Sequence, residues 1–113
     1  MQLPDAVDGL SALAHPSRLA VYRLLVKAGA DGLPAGEIAR QIEVLPNTLS
    51  NHLTILGHAG MVQSRRDGRS IIYSADFDRM RDLLGFLVAD CCGGHPEICA
   101  PLFASTEDAG CCA

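Results

Sequence analysis

Apolar residues recur every three to four positions along most of the chain, and this spacing predicts helices. Glycine and proline residues divide the pattern into five segments, which predicts helices at residues 6–14, 16–28, 34–42, 46–58 and 77–90. The fourth segment has the clearest pattern, because Leu49, Leu53 and Leu56 form one apolar stripe and the opposite face is polar. In the second segment we expect these residues to face the core: Leu19, Ala20 and Leu24, with Val21 and Leu25 as further candidates.

The period changes between the fourth and fifth helices. Residues 61–66 and 69–74 have the pattern of short strands, and the Asp67-Gly68 dipeptide between them favours a tight type I′ hairpin. The sequence therefore predicts a mainly helical winged helix-turn-helix fold with a two-stranded wing. The helical pattern stops after Cys91, so we expect a folded domain at residues 1–90 and a cysteine-rich tail at residues 91–113.

Length and hydropathy limit the class of protein. A chain of 113 residues has room for one compact domain and none for a second, catalytic one. A domain this small buries a modest fraction of its surface, so we expect an oligomer. No apolar run is long enough to cross a membrane, and the N-terminus lacks the pattern of a signal peptide, so we expect a cytoplasmic protein without a membrane partner.

The net charge of −4 is unevenly distributed. Residues 18–69 contain seven basic and four acidic residues, a net charge of +3, whereas residues 70–113 contain two basic and seven acidic residues, a net charge of −5. The distribution of charge decides what a surface attracts, more than the sum does. The middle of the chain can therefore face phosphate groups while the acidic end faces away.

The third and fourth predicted helices have the pattern of a helix-turn-helix, in which the second helix enters the major groove of DNA. Asparagine can pair with adenine at two points, and serine and threonine bind phosphates or bases. Arginines around a hairpin tip reach phosphates or a narrow minor groove. The candidate DNA-binding residues are Asn47, Thr48, Ser50, Asn51, His52 and Thr54 on the helix and Arg65, Arg66 and Arg69 on the wing. For His52, a packed position at a helix junction is the alternative.

Five cysteines in a reducing compartment favour metal binding or redox sensing over structural disulfides. Cys91, Cys92 and Cys99 lie close together directly after the fifth predicted helix, and thiolates select soft metals and metalloids. Three sulfur ligands suit trivalent arsenic or antimony, whereas zinc requires a fourth ligand, which His95 can supply. Cys111 and Cys112 are further candidates.

Four segments together resemble the ArsR/SmtB family of metal-sensing repressors: HPSRLAVYRLL, AGEIARQI, NTLSNHLTILGHAGMV and RRDGRSIIYS. The resemblance covers residues 10–88. It implies a homodimer formed by the first and fifth helices, an operator with an inverted repeat, and derepression when an effector binds. It also places Asn47, Thr48, Ser50 and Asn51 at the family's DNA-contacting helix positions. Leu45-Pro46 departs from the family, which often has a polar cap there.

The cysteines indicate one branch of that family. The fifth helix has no histidine, unlike that of the family's zinc sensors, and the third helix lacks the cysteine pair of the best-known arsenic sensors. The CCGGHPEIC run resembles arsenic-responsive repressors whose ligands follow the fifth helix. This resemblance implies an arsenite site at Cys91, Cys92 and Cys99. Antimonite, methylarsenite, Cd(II) and Zn(II) remain alternative inducers, and no resident cofactor is required.

Two other functions are compatible with the cysteines. In the first, the protein binds DNA in the same way but responds to oxidation or persulfide, because low-pKa cysteines can form a disulfide without metal. In the second, the protein is a thiol oxidoreductase. The chain has no CxxC motif and no general base near the thiols, so we expect that it is not an enzyme.

Overall fold

The computed structural model describes residues 1–88. The predicted tail at residues 91–113, and the predicted end of the fifth helix, lie outside the described residues. The elements are helices α1 (Leu3–Leu13), α2 (Pro16–Ala28), α3 (Ala35–Ile42), α4 (Pro46–His58) and α5 (Phe77–Leu87), and strands β1 (Leu33–Pro34), β2 (Val62–Asp67) and β3 (Ser70–Ala75). The predicted bounds of α2 and α4 are confirmed, whereas α1 begins earlier than predicted.

Proline and polar caps determine where two of the helices begin. Proline has no N–H to leave unsatisfied at the first helical position, and it occupies that position in both α2 and α4. The His15 ring caps α2, because its Nδ1 accepts a hydrogen bond from the Ser17 N–H at 3.1 Å. Leu45 makes no side-chain cap for α4, so proline alone favours that start.

The core lies between the helices and the inner face of the hairpin. Its fully buried side chains include Val21 and Leu25 from α2, and the predicted stripe on α4 is buried as expected. Leu19 was predicted to face the core, and this prediction is wrong, because its side chain is 44% exposed. The further candidates Val21 and Leu25 are confirmed, and Tyr22 is buried beside them on the inner face of α2.

The wing belongs to a three-stranded antiparallel sheet with the strand order β1-β3-β2. The sequence predicted only two strands, because the two residues of β1 are too few to show an alternating pattern. Leu33 pairs with Tyr73, and Gly32 precedes it with a φ of +71°. A Cβ atom at Gly32 would lie 2.2 Å from the Tyr73 carbonyl oxygen, so glycine allows this strand to approach β3.

The hairpin turn is shifted by one residue from the predicted position. Asp67 pairs with Ser70, so the loop consists of Gly68 and Arg69. Gly68 has a φ of +65°, and Arg69 does not have a positive φ. A positive φ at the first loop residue alone is typical of type II′ rather than type I′ turns, so the predicted turn type is wrong. The shift places Arg69 at the tip of the wing.

Within residues 1–88, none of the helices is long and apolar enough to cross a membrane.

Candidate nucleic-acid interface

Helices α3 and α4 form a helix-turn-helix. Glu43 ends α3 in the left-handed conformation, with a φ of 61° and a ψ of 46°. The Val44 N–H then donates to the Ala39 carbonyl oxygen at 3.1 Å, which closes the turn, and α4 begins at Pro46. A left-handed residue is a common way to satisfy the last carbonyl groups of a helix and to reverse the chain. The turn thereby directs α4 across α3.

The outer face of α4 is polar and exposed. Its inner face is fixed by Leu49, Leu53 and Leu56, which are buried in the core. The Thr54 hydroxyl donates to the Ser50 carbonyl oxygen at 2.9 Å, so its methyl group and its lone pairs are the parts left for a partner. The predicted DNA-binding residues that are exposed on this helix are Asn47, Thr48, Ser50, Asn51 and Thr54.

His52 does not belong to that exposed face. Its side chain is only 6% exposed, and its ring centroid lies 4.8 Å from that of His15. The helical period explains the correction, because His52 lies three residues after Leu49 and four before Leu56, on the inner side of α4. The prediction that His52 reads DNA is therefore wrong, and the alternative of a packed histidine at a helix junction is correct.

The three arginines of the wing differ in their surroundings. The Arg65 guanidinium donates through Nη2 to the Asp31 carbonyl oxygen at 3.0 Å, which ties β2 to the turn before β1. Neighbouring residues of a strand point to opposite faces, so Arg66 faces away from this contact. Arg69 lies in the loop, and both Arg66 and Arg69 are exposed. Arg66 and Arg69 are thus better placed than Arg65 to bind phosphate.

Positive charge on α3 is partly neutralised. Arg40 and Glu37 form an ion pair at the helix surface, and Gln41 also donates to the Glu37 carboxylate, at 2.8 Å. The Arg40 hydrogen bond, followed by that of Gln41, holds the pKa of Glu37 below its usual value. The Glu37 carboxylate is thus ionised and its charge is directed at Arg40. The exposed arginines of the wing carry no such partner among the described residues.

The predicted thiol ligands lie outside the described residues. All five cysteines of the chain follow position 90, and they are Cys91, Cys92, Cys99, Cys111 and Cys112. His95 lies in the same segment. Residues 1–88 contain no group of three or more potential metal ligands. A metal or metalloid site built as predicted would therefore belong to the segment that follows α5.

Two contacts near the interface could not be predicted from the sequence. One is the packing of His15 against His52, and the other is the hydrogen bond from Arg65 to the Asp31 carbonyl oxygen. Both join residues that are more than thirty positions apart. The sequence indicates only that His15 precedes a proline and that Arg65 belongs to a basic strand, so neither pairing leaves a local pattern.

The arrangement of an exposed polar helix beside an arginine-tipped hairpin defines a winged-helix DNA-binding protein.

Comparison with known proteins gives the same class. A family model described as a helix-turn-helix domain matches residues 13–65. The nodulation protein NolR of Rhizobium meliloti is 36% identical over 82 residues, which span 73% of this chain and 65% of that protein. The HTH-type transcriptional regulator YgaV of Escherichia coli is 31% identical over 78 residues, which span 69% of this chain and 77% of that protein.

Solved structures extend the comparison. The homodimeric winged helix-turn-helix domain of Mb0332 from Mycobacterium bovis, a possible ArsR-family regulator, has a TM-score of 0.64 at 29% identity, covering 78% of this chain and 81% of that one. A possible transcriptional regulator for arsenical resistance has a TM-score of 0.63 at 27% identity, covering 73% and 82%. The chain belongs to the ArsR/SmtB-like family of winged-helix transcriptional regulators. It is a DNA-binding regulator and not an enzyme.

Removal of the Asn51 amide tests the recognition face. We expect Asn51→Ala to weaken operator binding by about 1 to 3 kcal/mol, since a side chain that pairs with adenine at two points contributes about that much discrimination. Fluorescence anisotropy with the operator and with a scrambled duplex measures the effect. Affinity for the scrambled duplex should stay unchanged, and an equal decrease on both duplexes would show that Asn51 does not read bases.

A charge-matched pair of variants tests the wing. We expect Arg66→Ala to weaken binding to all sequences and to reduce the slope of log K against log salt concentration by about 1 for each phosphate that the arginine neutralises. Arg81→Ala is the control, because Arg81 is an equally exposed arginine on α5, paired with Asp78 at 3.4 Å. The wing has no specific role if the salt dependence changes equally in both variants.

Proposed function

We propose that the protein is a repressor that binds an inverted-repeat operator as a homodimer and releases it when trivalent arsenic binds Cys91, Cys92 and Cys99. The observation that carries the proposal is the position of these thiols. Cys91 follows the last residue of α5, Leu87, by four positions. An ion held there acts at the end of the helix that carries part of the exposed apolar surface.

That apolar surface supports the homodimer. Leu3, Val7 and Leu10 recur at helical spacing along α1, and all three are exposed. Leu84 and Leu87 are exposed on α5, and α5 packs against α1, so the two helices offer apolar side chains together. Exposed apolar groups in contiguous patches mark interaction sites. The homodimeric relative Mb0332 is consistent with a second copy of the chain as the partner.

A two-fold symmetric dimer presents two copies of α4. Half-sites of the operator are then related by the same symmetry and separated by about one turn of DNA, which is why we propose an inverted repeat. The distance between the two copies of α4 depends on how α1 and α5 pack across the dimer. Any change at the end of α5 is therefore a change at the element that sets the spacing of the recognition helices.

The chemistry of the tail supports a thiophilic inducer. Thiolates bind soft ions strongly, and three sulfurs complete the pyramidal coordination of As(III). Antimonite uses the same three ligands, methylarsenite needs only two of them because it keeps its methyl group, and Zn(II) would require a fourth ligand such as His95. Cd(II) also binds the same thiolates. The similarity to a possible regulator of arsenical resistance favours arsenic among these ions.

Energetics favour a response by both protomers. Coupling between two sites is typically about 1 to 3 kcal/mol, whereas a change from 99:1 to 1:99 in operator occupancy requires about 5.5 kcal/mol. Two ions per dimer, one at each thiol site, bring the coupling close to what full derepression requires.

An acidic substitution on α1 tests the dimer. Val7 is 52% exposed in the protomer, so Val7→Glu should leave the fold intact while placing two carboxylates in the dimer interface. We expect a monomer by sedimentation velocity and a loss of operator binding. Ile71→Glu is the control for the oligomeric state, because Ile71 is similarly exposed but lies on the wing, paired with Arg66, and this variant should stay dimeric. A dimeric Val7→Glu protein would exclude α1 from the interface.

Titration of inducers under reducing conditions tests the thiol site. We expect arsenite to release the wild-type protein from its operator and to leave a Cys91→Ser, Cys92→Ser, Cys99→Ser variant bound, because serine cannot replace a thiolate ligand. Fluorescence anisotropy measures release, and zinc and cadmium serve as competing inducers. A Cys111→Ser, Cys112→Ser variant is the matched control and should respond as wild type.

Several outcomes contradict the proposal in different ways. Release of the triple variant by arsenite would move the sensor to other residues. Release by peroxide or persulfide without arsenite would favour the redox-responsive repressor instead.

A further inference from the structure

His52 is a buried polar residue on the inner face of the recognition helix. Its side chain is 6% exposed, and its Nδ1 atom has no hydrogen-bond partner. Buried polar atoms normally have partners, because an unpaired one costs free energy. The adjacent residue, Asn51, belongs to the exposed polar face of α4. Whatever happens to the His52 ring therefore acts directly on the orientation of that face.

The neighbours of His52 come from the junction between α1 and α2. The His15 ring lies 4.8 Å away between centroids, tilted by 47°. Arg18 belongs to the same junction, and its Nε donates to the Ala12 carbonyl oxygen at 2.6 Å, which fixes the guanidinium there. Asp8 on α1 and His58 at the end of α4 line a cleft of about 500 Å³ beside Arg18. The charges that act on His52 are those of His15 and Arg18, and both are basic.

The capping role of His15 fixes its ring at the junction. Its Nδ1 accepts the Ser17 N–H, which holds the ring where it packs against His52. Burial is the main cause that lowers the pKa of His52 from the ordinary 6.5, and the charges of His15 and Arg18 lower it further. A proton on His52 thus opposes the packing of α4 against the α1–α2 junction.

We propose that His15 and His52 form a positioning pair that holds α4 in its DNA-binding orientation only while the His52 ring is neutral, so that mild acid weakens operator binding. The inference rests on the proposed operator binding and is independent of the inducer. His52 touches no DNA in this proposal, and it acts through Asn51 and the rest of the exposed face.

The direction of the pH effect follows from linkage. A histidine with a lowered pKa in the packed state favours that state fully above pH 6.5, and the contribution is lost as the pH falls below that value. The nonspecific electrostatic effect of pH on DNA affinity has the opposite sign, because a protein that gains protons binds phosphate more tightly. A loss of affinity in acid therefore distinguishes the positioning pair from a general charge effect.

Operator affinity measured by fluorescence anisotropy tests the pair, at constant ionic strength, with reduced protein and without metal ions. Between about pH 7.5 and 5.5 we expect wild-type affinity to fall progressively, because a proton on His52 is disfavoured in the packed state. His52→Asn removes the titrating group and should give a flat or rising profile. His58→Asn, an exposed histidine of the same helix, is the matched control and should follow wild type.

Three outcomes overturn the inference: a wild-type affinity that rises in acid, the same fall in His52→Asn as in wild type, or the loss of the fall in His58→Asn. If His52→Asn fails to fold, an NMR titration of the wild-type protein tests the His15–His52 pair instead. Proton uptake by His52 should coincide with loss of amide protection in α4, and uptake without that loss overturns the pair. A folded protein that binds no operator at any pH contradicts the proposed function, while the NMR titration still tests the pair.

Discussion

The burial of one leucine stripe determines the functional surface of this protein. Leu49, Leu53 and Leu56 are between 0% and 3% exposed, and they fix the rotation of α4 about its own axis. Because successive helical residues are about 100° apart, a helix rotated by one residue would turn Ser50 and Thr54, or Thr48 in the other direction, into the core. Burial of the leucines on one side of α4 therefore exposes the polar face on the opposite side. Close packing of the core makes this orientation discrete rather than adjustable.

The sequence predicted those parts of the fold that leave a local pattern. The bounds of α2 and α4 follow from Pro16 and Pro46 together with helical periodicity, and the structure confirms them. β1 has no local pattern, because its two residues are held by pairing with β3 and by the close approach at Gly32. His52 was misassigned since its polarity suggested exposure, while its position in the helical period required burial. Long-range pairing therefore decided β1, whereas the helical period of α4 already placed His52 on the inner side.

The DNA-binding site and the sensor were predictable to different extents. The helix-turn-helix pattern in the sequence determines which side chains of α4 are exposed. Their exposure could therefore be predicted from the sequence, and the structure shows it. The thiol site is a chemical inference from residue type and spacing in the segment after α5. The exposed apolar residues of α1 and α5 connect the DNA-binding site with the proposed sensor. In the proposed dimer these residues set the spacing of the two recognition helices, and the cysteine segment follows α5 in the sequence.

Helix α1 has contacts that would let one element respond to both proposed signals. It packs against α2, α4 and α5, so it adjoins both the His15–His52 pair and the helix that precedes the cysteines. An ion at the end of α5 and a proton at the α1–α2 junction would therefore bias the same equilibrium, the placement of α4. Linkage then requires reciprocity: operator DNA, by favouring one placement, lowers the affinity for inducer by the same factor by which inducer lowers the affinity for DNA. The coupling free energy is a property of this packing, because neither signal needs to touch the DNA.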